Sequence, residues 1–170
     1  RCLEQIRNDA AYHGANVNVV SIGGGFSYGA LGMSHHATED LAIMRALPEV
    51  TVVAPGDHWE TAEATKAIAA YPGVCYLRLD KSAAPVTHGA EERFELGRAR
   101  VVRRGARVAL VTCGGVLGEV LRAADALQEN GIAPTVVSLH TLKPIDTPAL
   151  REIAAEHEIV VTVGNTESSG

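Results

Sequence analysis

The sequence predicts an α/β fold made of two units, each a mainly parallel sheet covered by helices, and three observations predict it. Apolar, β-branched runs recur along the 170 residues at 16–22, 51–54, 74–79, 107–113, 134–139 and 159–163. Most of the gaps between them carry helical periodicity. The runs are apolar on both faces, which is how strands read when helices bury a parallel sheet from both sides.

The elements follow in order. The first strand runs straight into Gly23-Gly24-Gly25-Phe26-Ser27-Tyr28-Gly29. This is not a GxGxxG turn: no helix opens at once, and the second strand ends Ala54-Pro55-Gly56 with no acid to read a ribose. Glycine at this density instead lets backbone approach a ligand or lets the loop move. The loop continues through Gly32-Met33-Ser34-His35-His36-Ala37-Thr38. Adjacent side chains point apart on a strand and lie about 100° apart on a helix, which disfavours one ion shared by both histidines. Two readings stand: solvated loop histidines, or a histidine that meets substrate oxygens and moves protons near neutral pH.

A helix is expected over 38–47, with Leu41, Met44 and Leu47 on one face and Thr38 as N-cap. Asp57 followed by Glu60 has capping-box spacing and opens a helix over 58–71. In the strand Val74-Cys75-Tyr76-Leu77-Arg78-Leu79 one cation interrupts an apolar run at its carboxyl end. Arg78 there suits a phosphate at the edge where open α/β sheets bind ligands, or an ion pair with Asp80 or a nearby acid.

Between 82 and 105 the alternation breaks into Pro85, Gly89, Glu91-Glu92-Arg93 and Gly97, a linker or an antiparallel excursion. The expected division is residues 1–82, a linker over 83–99, and 100–170. In the second unit Cys113-Gly114-Gly115 makes a tight turn into a helix over 116–130 that stops at Asn130-Gly131. Lys143-Pro144-Ile145-Asp146 reads as a turn entering a last helix, which Thr147-Pro148 opens.

Composition excludes several classes. Hydrophobic residues make up 46 % and charged residues 21 %, the range of chains that bury a core. A net charge of -5 leaves no cationic surplus for nucleic acid or anionic lipid. No apolar run reaches the roughly 20 residues that span a bilayer, and no signal-peptide pattern opens the chain, so a cytoplasmic location is expected. Cys2, Cys75 and Cys113 lie far apart, outside any CxxC pair, and are expected to be buried free thiols. The ligands expected are small molecules or proteins.

Six segments, in order, resemble landmarks of the transketolase family of thiamine-diphosphate enzymes: RCLEQIR (1–7), the loop 29–36, EDLAIMRALP (39–48), TVVAPGD (51–57), residues 76–78, and SLHTLKPID (138–146). The resemblance covers essentially the whole chain. It implies the end of a pyrimidine-binding domain followed by a transketolase C-terminal domain. It also implies transfer of a two-carbon ketol unit from a ketose to an aldose, with the cofactor as electron sink. By position His35 resembles the family histidine at the substrate channel, which makes it the implied catalytic residue. His35, His36 and Arg78 are the implied substrate-binding residues, Arg78 matching the arginine that holds a sugar phosphate.

Thiamine diphosphate and Mg2+ are implied as cofactors held mainly by an N-terminal diphosphate-binding domain or subunit, in a homodimer or an α2β2 assembly. No cofactor-binding or metal residue is identified in this chain, because the family's activating glutamate belongs before Arg1. Three positions depart from the family: Gly23 for a phosphate-binding histidine, Leu31 for an aspartate, and Gly164-Asn165-Thr166 for an acidic pair and histidine. The alternatives are a deoxyxylulose-phosphate-synthase-like enzyme, a 2-oxoacid dehydrogenase β component, or a non-catalytic dimerisation or regulatory module of the same fold.

Overall fold

The computed structural model describes residues 2–81, 84–89 and 91–164, so Arg1 and the Asn165-Thr166 departure lie outside the described residues. Two four-stranded sheets organise the chain. The first has the order β1-β3-β2-β7, with β1 (Val17–Ile22), β2 (Val50–Val53) and β3 (Val74–Leu79) parallel and β7 (Thr141–Lys143) antiparallel to β2. The second has the order β4-β6-β5-β8. There β5 (Val108–Thr112), β6 (Thr135–Ser138) and β8 (Ile159–Val163) are parallel, and β4 (Arg100–Arg103) is antiparallel to β6.

Strand alternation divides each core in two. Val50, Val52, Val74 and Tyr76 face Leu41, Met44 and Leu47 of α2 (Asp40–Ala46), together with Ile6 and Ala10 of the N-terminal segment, where α1 (Leu3–Gln5) passes into a π-helical stretch, Ile6–Ala11. Val53, Cys75 and Leu77 point the other way, onto Ala64 and Ile68 of α3 (His58–Ala70). In the second sheet Leu110 and Val136 pack on Leu117, Val120 and Leu121 of α4 (Leu117–Glu129), while Val111 and Val137 pack with Ile153 of α5 (Thr147–Glu156). Each of these large side chains, fully buried, contributes about 1.5–3 kcal/mol. Among the described residues no helix is long and apolar enough to cross a membrane.

Four local expectations change. Thr38 does not cap α2: the N-cap is Glu39, and the Thr38 hydroxyl donates to the Glu39 carboxylate instead. β1 is not buried on both faces, because it is the edge strand of its described sheet, with Val20 and Ile22 exposed. Cys75 is buried and Cys113 half-buried, but Cys2 is exposed. The turn expected from Lys143 begins inside a strand, β7, which crosses from the second unit to pair with β2 of the first.

The carboxyl ends of the two sheets meet along this crossing. Ala54, just past β2, receives a bond from Gly114 N–H (2.9 Å) and donates to the carbonyl of His140 (2.8 Å). A Cβ on Gly56 would come within 2.7 Å of Leu117 Cδ2, so the two units approach to backbone distance.

Candidate functional site

β1 and β3 are parallel, so their carboxyl ends share one edge, and the loop 23–38 leaves β1 there. The N–H groups of Gly23 and Gly24 both bond the Leu79 carbonyl, at 2.8 and 3.2 Å. A two-way backbone bridge between Gly25 and Ala37 then closes the loop on itself. Inside it, Gly29–Leu31 forms a 3-10 turn.

The two histidines do different things. The His36 ring donates to the Gly29 carbonyl through Nε2 (3.2 Å) and meets the Phe26 ring edge to face, 5.1 Å between centroids, so it braces the loop. His35 is exposed. Its Nδ1 lies 3.0 Å from Ser34 Oγ, and its ring lies 6.3 Å from that of Tyr28. Among the described residues its Nε2 has no hydrogen-bond partner, which leaves that atom to a ligand.

Arg78 forms the floor of the loop. It is 1 % exposed, with Asp40 Oδ2 3.6 Å from Nε and Asp80 Oδ1 3.4 Å from Nη2. Gly24 lies directly over it: a Cβ at that position would fall 1.9 Å from Arg78 Nε and 2.3 Å from Asp80 Oδ1. Only glycine permits that approach. Asp40 also accepts from Tyr76 Oη (2.8 Å), and Asp80 from Gly115 N–H (2.6 Å) at the start of the second unit's helix. The arginine thus adopts the ion-paired arrangement, with Asp80 and with an acid on α2 that spacing did not suggest.

A second ionic cluster lies buried between the units. Arg100 of β4 donates through Nη1 to Asp57 Oδ2 (3.3 Å) and Glu60 Oε1 (3.0 Å), and through Nε and Nη2 to Glu92 (2.6 and 3.2 Å). Its guanidinium lies 4.7 Å over the Trp59 ring. Asp57 caps α3 at Glu60 N–H (2.7 Å), as its spacing suggests. The Glu60 carboxylate does not reach back to the cap residue; it accepts from Gly56 N–H (2.7 Å) and Ser138 Oγ (3.0 Å). Burial pushes the Glu60 carboxyl up, against the bonds from Gly56, Arg100 and Ser138, while the Arg100 bond holds Glu92 low. His140 stacks on Phe94 (4.2 Å), and burial pushes its imidazole down to about 4. Sequence reasoning missed this cluster; its one legible trace was the Asp57-to-Glu60 spacing.

The described residues do not fit a metal-diphosphate grip. Among them no group of three or more His, Cys, Asp or Glu side chains could hold a metal ion. The buried carboxylates of Asp57, Glu60 and Asp80 are committed to arginines and backbone N–H groups.

Comparison with known proteins defines the class. The transketolase pyrimidine-binding domain family matches residues 1–87, and the transketolase C-terminal domain family matches residues 97–170. The chain belongs to the transketolase family. It is 33 % identical over 164 residues to one of the two kinds of chain of an apulose-4-phosphate transketolase from Phocaeicola vulgatus, covering 96 % of this chain and 53 % of that protein. It is 34 % identical over 170 residues to a 6-deoxy-6-sulfo-D-fructose transketolase subunit of a Clostridium species, covering 100 % of this chain and 53 % of that one. Among solved structures, a split gene transketolase described as an inactive β4 tetramer superposes with a TM-score of 0.85 at 38 % identity, over 96 % of this chain and 53 % of that one. The chain spans about half the length of these relatives.

Proposed function

We propose that this chain is the C-terminal component of a transketolase that moves a two-carbon ketol unit from a ketose to an aldose. In this reading it works with an N-terminal diphosphate-binding domain or subunit, in a homodimer or an α2β2 assembly. Thiamine diphosphate and Mg2+ are held mainly by that partner, which supplies the carbanion chemistry. The observation that carries the reading is His35: an exposed imidazole on a loop closed at the carboxyl edge of a parallel sheet, with one ring nitrogen fixed by Ser34 and the other presented outward. Relatives named as transketolase subunits, and the split-gene relative described as inactive as a β4 tetramer, support the need for a partner.

The residues of the chain divide the work. His35 Nε2 meets a substrate hydroxyl or carbonyl oxygen, donating when it carries the proton and accepting when Nδ1 does, near the pH where imidazole does both. His36 keeps the loop shape that presents His35. Arg78, held by Asp40 and Asp80, fixes the floor on which Gly24 rests.

The test is reconstitution with the diphosphate-binding partner, thiamine diphosphate and Mg2+, followed by an assay of ketol transfer. The complex is expected to transfer and the chain alone not to. His35→Ala is expected to lower kcat/KM by roughly 10- to 10³-fold, and His36→Ala by less. A reconstituted complex whose activity is indifferent to His35 refutes the assignment.

A further inference from the structure

Arg78 is the cation that the strand pattern offers to a substrate anion, but two carboxylates flank it beneath Gly24. Three residues further on, Lys81 is exposed at the same sheet edge, and among the described residues its ammonium pairs with no carboxylate. Its Nζ lies 3.9 Å from the centroid of the Tyr28 ring. That ring in turn fills the side-chain space of position 23, where a Cβ would fall 2.1 Å from Tyr28 Cε2, and it neighbours the His35 ring. An ammonium over a ring face is held in place, yet it keeps N–H donors for another partner.

We propose that Lys81, seated on Tyr28, binds a tetrahedral oxyanion of the substrate, a phosphate or a sulfonate, one aromatic ring away from His35. This rests on the transketolase reading for the identity of the substrate, and not for the anion contact itself. The charge balance carries it: at this edge the guanidinium is matched by acids, whereas the ammonium is matched only by a neutral ring. Lysine acts on such an anion as a compact point charge, so the site selects for charge more than for shape.

The test compares an aldose phosphate with the same aldose unphosphorylated, in the complete enzyme with its partner. Lys81→Gln is expected to lower the ratio of the two kcat/KM values by about 10- to 100-fold, the scale of one hydrogen bond to a charged group, and to do so through KM. Lys81→Arg is expected to keep most of the preference, and Tyr28→Leu, which removes the seat, to lose part of it. An unchanged ratio in Lys81→Gln overturns the proposal, as does an equal loss on both substrates.

NMR titration of the same complex with methyl phosphate and, separately, methanesulfonate reads the Lys81 side chain without any turnover. The anion giving the larger shift is the one the site takes. No shift with either overturns the proposal. A wild-type complex without ketol transfer would refute the transketolase reading, and the titration would still decide Lys81.

Discussion

His140 should make the stability of this protein fall in mild acid, by an amount that its surroundings set. The ring is buried, stacked on Phe94, and bonded through Nδ1 to Thr141 Oγ1 at 3.0 Å. Burial, followed by the nearby Arg100 charge, lowers its pKa from 6.5 to about 4. In the unfolded chain the same imidazole takes a proton near its ordinary value. Between these two values the unfolded state binds more protons, so stability is whole above the unfolded value and is lost as pH falls toward the folded one. A difference of that size is worth about 3 kcal/mol in full, of which about 2 kcal/mol is lost by a pH of about 5. Urea unfolding followed by fluorescence of Trp59, the single tryptophan, reads this directly. His140→Asn removes the titrating group, so its stability should decline less than wild type over the same interval, by roughly that 2 kcal/mol. Parallel profiles for wild type and variant would refute the reasoning, because the acid loss would then belong to carboxylates alone.

Two further outcomes follow from the same geometry. Arg100→Met leaves Asp57 and Glu60 buried without their shared cation and is expected to cost about 3–5 kcal/mol in urea unfolding, with Glu60→Gln in the same chain restoring part of it. Gly24→Ala places a methyl group inside the Arg78–Asp80 pair, at contact distances that neither buried side chain can yield; it is expected to cost about 1–3 kcal/mol and to lower kcat by displacing the loop that carries His35.

The strands that the sequence revealed are those whose burial is decided by their own residues. β2, β5 and β6 are apolar on both faces and central in their sheets, so composition and position agree. β4 and β7 were not legible as strands. Arg100-Val101-Val102-Arg103 and Thr141-Leu142-Lys143 are short and partly polar, and each becomes a strand because a distant neighbour offers an antiparallel edge. Pairing of this kind is a tertiary decision, which propensity does not record.

The same distinction separates the parts of the candidate site. His35 was legible because a polar histidine in a glycine-flanked loop has no core to join, and the structure leaves it exposed. For Arg78 the sequence left ligand and ion pair equally open, since the deciding acid, Asp40, lies 38 positions earlier on a helix. Glu60 reads as a capping residue by spacing, yet its carboxylate serves Gly56, Ser138 and Arg100, from three separate places in the chain. Cation and acids here are chosen jointly by a fold that brings the carboxyl ends of two sheets together. A change at Asp80 would therefore act on both units at once, through Arg78 under the His35 loop and through Gly115 at the helix of the second unit.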